Sequence, residues 1–126
     1  MNALITGATK GIGRAIALQL AGEGYNLSIC ARNEQELKDF AAELESFEVS
    51  VVYAEVDCAD KDAVRRFCEF TVQELGDIDV LVNNVGVFLP GLLLDEEESN
   101  FDLQLQINLY APYILSRFFG KIMRER

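Results

Sequence analysis

The sequence predicts an α/β fold, a doubly wound parallel sheet with helices on both faces. Short apolar runs alternate with amphipathic stretches, short turns join them, and no linker, low-complexity segment or internal repeat interrupts residues 1–126. Strands that alternate with helices pair in parallel through crossover connections. A chain of 126 residues, half of them hydrophobic, is long enough for one domain with its own core. We therefore expect a single domain over 1–126.

The first predicted strand, Ala3–Ile5, leads into a glycine-rich loop, and the helix that follows ends at Gly22 and Gly24. Its expected buried face comprises Ile12, Ala15, Ile16 and Leu20. The second strand is Leu27–Cys30, and Asn33 with Glu36 has the spacing of a capping-box variant that begins a second helix. The expected buried face of this helix comprises Leu37, Phe40, Ala41, Leu44 and Phe47.

A third strand is predicted within 49–56, and Asp60 is positioned to cap the next helix, which ends at Gly76. The expected buried face of that helix comprises Val64, Phe67, Cys68, Thr71 and Leu75. Val80–Val82 is apolar on both faces, which is typical of a parallel strand. A loop containing glycine and proline follows, and a last helix begins near Ser99 or Asn100. The pattern stops after this helix, which leaves the fourth strand as an apolar edge.

Composition excludes several classes of function. A net charge of −10 argues against nucleic-acid binding, and the lack of histidine removes Ser-His-Asp and Cys-His catalysis. The three cysteines are an odd number without paired spacing, so neither a disulfide framework nor a zinc site is expected. No targeting sequence is recognisable, and the apolar run 87–94 is too short to span a bilayer. These features favour a cytoplasmic protein.

The segment from Thr6 to Gly13 has the context of a phosphate-binding loop, because it follows a strand and opens a helix. Gly7 permits a tight turn, Gly11 lets the backbone approach a pyrophosphate, and Gly13 allows close packing of the helix. The N–H groups and dipole of the helix N-terminus then face the anion. The alternative is a turn that needs glycine for its geometry alone.

Cofactor choice depends on charge at the end of the second strand, where an acidic residue would bind a ribose 2′-hydroxyl. Arg32 follows this strand instead, and its guanidinium suits a 2′-phosphate; Lys10 adds a second cation. The sequence therefore favours NADP. The alternative is that both residues are solvated surface charges. A methyl donor is disfavoured, because such a ligand lacks a phosphate for these cations.

Together with Asn83-Asn84-Val85-Gly86, this loop makes the chain resemble the short-chain dehydrogenase/reductase family, whose fold is of the Rossmann type. The resemblance covers the whole chain, with valine in place of the alanine of the family's Asn-Asn-Ala-Gly motif. It implies contact of Asp57 and Cys58 with the adenine; a turn preceding a helix is the other interpretation of Asp57. The implied cofactor-binding residues are Gly7, Thr9, Lys10, Gly11, Ile12, Gly13, Arg32, Asp57, Cys58, Asn83, Asn84 and Gly86. For the two asparagines, a purely structural turn is the alternative.

By the same resemblance, Asn108 matches the helix asparagine of the family's Asn, Ser, Tyr, Lys catalytic group. Pro112, four residues later, has no N–H, so in a continuous α-helix the Asn108 carbonyl would lose its donor and could hold a water. In the family, that water belongs to a proton relay. The alternative is a proline kink with Asn108 as a bystander.

The resemblance implies hydride exchange between a nicotinamide and a small-molecule carbonyl or alcohol, with a tyrosine as the acid/base. No Tyr-x-x-x-Lys pair occurs in the sequence, so the chain alone is expected to be catalytically silent. A non-catalytic nucleotide-binding or scaffold module is the alternative. The last helix carries apolar side chains around most of its circumference, and together with the family's use of this helix at a dimer interface it predicts a homo-oligomer. The alternative is aggregation through an exposed core.

Overall fold

The computed structural model describes all residues 1–126. Its four parallel strands lie in the order β3-β2-β1-β4, which confirms the predicted parallel sheet. The strands are β1 (Asn2–Thr6), β2 (Asn26–Ala31), β3 (Val51–Glu55) and β4 (Val80–Val82). The helices are α1 (Gly11–Gly22), α2 (Glu34–Glu45), α3 (Lys61–Leu75), α4 (Glu98–Leu105) and α5 (Ala111–Arg124), with a π-helical turn, Gln106–Tyr110, between the last two.

Two apolar cores cover the two faces of the sheet, as a doubly wound fold requires. Ala3 and Ile5 of β1 face the core formed with α1 and α2, whereas Leu4 between them faces the core formed with α3 and α5. The alternation arises because successive side chains of a strand point to opposite faces. On the α3 side, the buried hydroxyls of Ser28 and Thr71 lie 2.8 Å apart and hydrogen-bond each other, so neither is left unsatisfied.

The predicted capping residues of two helices are confirmed. The Asn33 side chain accepts a hydrogen bond from the Glu36 N–H at 2.9 Å, and Asp60 accepts from the N–H groups of Asp62 and Ala63. Each cap satisfies a backbone donor that has no partner within its own helix. The N-terminal N–H groups of α2 and α3 are therefore capped by the side chains of Asn33 and Asp60.

The buried face predicted for α1 is partly wrong, because Ile16 and Leu20 are half-buried and pack against the core but Ile12 and Ala15 are exposed. Gly13, Ala17 and Ala21 are buried instead, while Ile12 is 74% exposed. Small side chains let the helix axis approach the loop and sheet closely, so the larger residues are displaced to the flanks. Phe47 was also assigned to the core wrongly; it is 43% exposed because α2 ends at Glu45.

Asp79 connects the two chain termini. Its carboxylate accepts from the Asn2 N–H at 2.8 Å and from the Arg126 guanidinium at 2.6 Å, and these hydrogen bonds lower its pKa below the usual value. Because the folded pKa is the lower one, this stabilisation is complete above the unfolded pKa of about 3.9 and is lost as pH falls through the folded pKa.

We therefore expect Asp79→Asn to lower the urea midpoint at neutral pH, with the difference from wild type shrinking in acid. Asp77→Asn is the control, since the Asp77 side chain makes none of these bonds. A difference that stayed constant with pH would contradict the proposed role of the Asp79 charge.

None of the helices has the length and apolar character needed to cross a membrane.

Candidate cofactor-binding site

An open cleft of about 540 Å³ lies at the carboxyl edge of the sheet. Every strand contributes to it: β1 through the glycine loop, β2 through Arg32, β3 through Asp57 and β4 through the segment 84–87. The chain moves outward from β1 to β2 and β3, then crosses to the other side of β1 to form β4. Ligands of open α/β sheets bind where the strand order reverses in this way.

The glycine loop is anchored to the neighbouring strand. The N–H groups of Gly7 and Ala8 both donate to the Cys30 carbonyl, at 3.0 and 3.3 Å. Gly7 and Gly11 have φ of 64° and 56°, in the left-handed region that favours glycine. The loop therefore turns sharply at the end of β1 and places the N-terminus of α1 beside the cleft.

Gly13 lies where backbone and side chains meet most closely. A Cβ atom at this position would overlap the Gly7 carbonyl oxygen and the Asn84 amide nitrogen. The predicted close packing at Gly13 is thus present, and it involves the loop's own first turn together with the segment after β4.

The N-terminus of α1 is open, unlike those of α2 and α3. No side chain caps it, and its first turn carries no acidic residue. The first-turn N–H groups of a helix have no partner inside the helix, and the dipole places partial positive charge there. This terminus therefore has the properties of an anion-binding site.

Asn84 joins the end of β4 to the end of β1. Its side-chain amide donates to the Gly7 carbonyl at 3.0 Å, and its backbone N–H donates to the buried Thr6 hydroxyl at 3.0 Å. Thr6 also accepts from the Val85 N–H at 3.1 Å. Asn84 thus braces the end of β4 against the end of β1.

Asn83 points elsewhere. Its amide donates to the Ser116 hydroxyl on α5 at 3.1 Å, and Asn83 is not among the residues that line the cleft. Successive side chains at a strand end point to opposite faces, so only one of two adjacent asparagines can turn towards the loop. Gly86 lines the cleft with Asn84, while Gly11, Ile12 and Gly13 lie beside it on α1.

The cleft floor contains two buried thiols, Cys30 and Cys58. A hydrogen bond with the Cys30 thiol lowers the pKa of Cys58, whereas the same bond and burial raise the pKa of Cys30 well above its usual value. Cys58 is therefore the more readily ionised of the pair. Asp57 is exposed beside it and accepts from the Ala59 N–H at 2.9 Å, the contact of a turn residue.

Charged groups gather at the β2 side of the cleft. Lys10 lies 3.6 Å from the Glu36 carboxylate, measured from Nζ to Oε1, and the Thr9 hydroxyl donates to Oε2 of the same residue at 3.5 Å. Arg32 forms no salt bridge, so its guanidinium is free to bind an anion. Lys10, Arg32 and Glu36 all line the cleft.

Asn108 holds the loop that follows β4. Its amide oxygen accepts from the Val87 N–H and its amide nitrogen donates to the Val87 carbonyl, both at 2.7 Å. The amide oxygen and nitrogen are therefore both hydrogen-bonded to the backbone next to Gly86. Asn108 itself does not line the cleft.

The expectation of a continuous α-helix around Asn108 is wrong. Asn108 lies in the π-helical turn, where the Ala111 N–H donates to the carbonyl of Gln106, five residues earlier. Pro112 has no N–H for an i+4 bond to Asn108, and the wider turn accommodates this missing donor. Pro112 then occupies the first turn of α5, where proline is tolerated.

Two residues near the site were not predicted. In the sequence, Glu36 is recognisable only as part of a capping box. Its contact with Lys10 depends on how α1 and α2 are packed in the fold. Gln106 donates to the Cys58 carbonyl at 3.3 Å across 48 residues of sequence. No local pattern indicates such a contact.

Comparison with known proteins agrees with this arrangement. The family model described as short chain dehydrogenase matches residues 1–126. The chain is 38% identical to the 3-oxoacyl-[acyl-carrier-protein] reductase FabG of Staphylococcus aureus, over 99% of this chain and 52% of that protein. The chain thus spans about half the length of the curated relatives it matches.

Solved structures of dehydrogenases and reductases superpose on the chain. An alcohol dehydrogenase from Thermococcus sibiricus, complexed with 5-hydroxy-NADP, superposes with a TM-score of 0.93 at 33% identity, covering 98% of this chain and 53% of that one. The L-sorbose reductase of Gluconobacter frateurii, complexed with NADPH and L-sorbose, superposes with a TM-score of 0.94 at 31% identity, covering 99% and 48%. The chain belongs to the short-chain dehydrogenase family of oxidoreductases.

Proposed function

We propose that residues 1–126 form the cofactor-binding domain of an NADP(H)-dependent oxidoreductase that acts on a carbonyl or alcohol. The observation that carries this proposal is the uncapped N-terminus of α1 next to a cleft lined by two cations, Lys10 and Arg32, at the point where strand order reverses. Related structures complexed with NADPH and 5-hydroxy-NADP support the choice of ligand.

The residues present fit a dinucleotide. Gly7 and Gly13 let the loop pack closely against Asn84, and a Cβ at Gly11 would meet no protein atom within 4 Å. Open space therefore lies beside the first turn of α1, where a pyrophosphate could approach the N–H groups. Arg32, free of any salt bridge, offers a planar donor fork to a 2′-phosphate, and no acidic residue stands at the end of β2 to repel it. Asp57 and the Cys58 backbone would lie beside the adenine.

We expect Asn84 and Asn108 to lie near the nicotinamide half of the bound cofactor. Asn84 fixes the glycine loop against the end of β4, and Asn108 fixes the backbone at Val87. Both would keep the cleft wall rigid where the reacting half of the cofactor lies. The bound nicotinamide would supply or accept the hydride. Because the chain has no Tyr-x-x-x-Lys pair, proton transfer would need groups from outside residues 1–126.

Calorimetric titration of the purified chain tests this function. We expect NADPH to bind about tenfold or more tightly than NADH, since a charge-assisted hydrogen bond to the 2′-phosphate is available to NADPH alone. We also expect no NADPH oxidation with a panel of ketones. Equal affinity for NADPH and NADH would contradict the cofactor assignment, and tight binding of S-adenosylmethionine would favour another adenosine ligand. Measurable turnover would contradict the expectation that residues 1–126 alone are catalytically inactive.

We further propose that the chain self-associates through α5 and is cytoplasmic. Leu109 and Tyr113 are 65% and 52% exposed on the outer side of the last helical segment, a surface that a second copy would cover. All three cysteines are free, as suits a reducing compartment.

A further inference from the structure

Glu36 is the only carboxylate within salt-bridge distance of a cation in the cleft. Its Oε1 lies 3.6 Å from the Lys10 ammonium, and its Oε2 accepts from the Thr9 hydroxyl at 3.5 Å. The two partners belong to the glycine loop, whereas Glu36 belongs to the first turn of α2. The carboxylate thus lines the cleft and links the start of α2 to the glycine loop.

The Glu36 backbone is fixed, whereas its side chain is held by two long contacts of 3.6 and 3.5 Å. Its N–H donates to the Asn33 cap at 2.9 Å, which holds the helix turn in place. The side chains of Lys10 and Glu36 are 79% and 41% exposed, so water screens their attraction and the pair is weak. An anion with more negative charge, such as a phosphate, can therefore displace the Glu36 carboxylate from Lys10.

Resting on the proposed NADP(H) function, we propose that Glu36 is a specificity-determining residue that competes with the 2′-phosphate for Lys10. A ligand with a 2′-phosphate must separate Lys10 from Glu36 and bring its negative charge close to the carboxylate, which repels it. A ligand without this phosphate leaves the pair intact. Glu36 therefore weakens NADP binding selectively and narrows the preference for NADP over NAD.

The test measures the affinities of NADP⁺ and NAD⁺ for the purified wild-type chain and for Glu36→Gln. We expect the variant to bind NADP⁺ about threefold to tenfold more tightly, with NAD⁺ unchanged, because one repulsive and competing charge is lost. The gain should shrink at high salt. Glu34→Gln is the matched control, since it removes the same charge from the same first turn but from a residue that does not line the cleft.

A double-mutant cycle distinguishes competition for Lys10 from a general charge effect. In a Lys10→Met background, Glu36→Gln should have a smaller effect on NADP⁺ affinity than in wild type. The inference alone is overturned if wild type prefers NADP⁺ but Glu36→Gln behaves like Glu34→Gln. It is also overturned if Glu36→Gln weakens NAD⁺, which would make Glu36 a ribose ligand. A wild-type chain that binds neither nucleotide overturns the proposed function together with this inference.

Discussion

Gly13→Ala is expected to destabilise the fold by about 1–3 kcal/mol or more and to abolish nucleotide binding. The new methyl group would overlap the Gly7 carbonyl oxygen and the Asn84 amide nitrogen. A backbone carbonyl cannot rotate away as a flexible side chain can, so either the loop or the α1 N-terminus must shift. Such a shift breaks the Asn84–Gly7 hydrogen bond of 3.0 Å. Urea unfolding, followed by circular dichroism, measures the loss of stability.

Gly120→Ala is the control for this substitution. Gly120 lies inside α5, and a Cβ there would meet no atom within 4 Å. Alanine should therefore stabilise the helix by roughly 0.5–1 kcal/mol, because it loses less backbone entropy on folding than glycine. If Gly13→Ala were as stable as wild type, the close packing of loop, helix and Asn84 would not be a determinant of the fold.

Arg32→Ala is expected to weaken NADP⁺ binding by roughly tenfold to a hundredfold, the range for losing a hydrogen-bonded charge, and to leave NAD⁺ binding nearly unchanged. Arg32 lines the cleft at the end of β2 and has no carboxylate partner. Its removal therefore breaks no internal ion pair, and the loss should be specific to the 2′-phosphate. Calorimetry with both nucleotides gives the ratio of variant to wild-type Kd for NADP⁺ and for NAD⁺.

A second arginine separates this specific effect from the loss of net charge. Arg66 is exposed on α3 and does not line the cleft, so Arg66→Ala removes the same charge at another place. We expect it to change neither affinity by more than about twofold, since salt screens distant surface charges. Equal losses of NADP⁺ and NAD⁺ in Arg32→Ala would mean that Arg32 does not contact the 2′-phosphate.

Local sequence determined the elements and most of the cleft. The four strands, the caps Asn33 and Asp60 and the turn glycine Gly7 follow from patterns that span a few residues, because hydrogen bonding and backbone sterics act over that range. Parallel pairing then brings the carboxyl ends of the strands to one edge. For this reason Lys10 and Asp57, which are distant in sequence, both line the cleft.

Tertiary structure alone decided which side chain of each element faces the site. Asn83 and Asn84 have the same chemistry, yet only Asn84 reaches the loop. The fully buried residues of α1 are the small Gly13, Ala17 and Ala21, and Glu36 of α2 lies within salt-bridge distance of Lys10. These outcomes depend on the distance and rotation between packed helices and strands. Contacts between residues far apart in sequence set that geometry, so the hydrophobic pattern of a single helix or strand does not predict it.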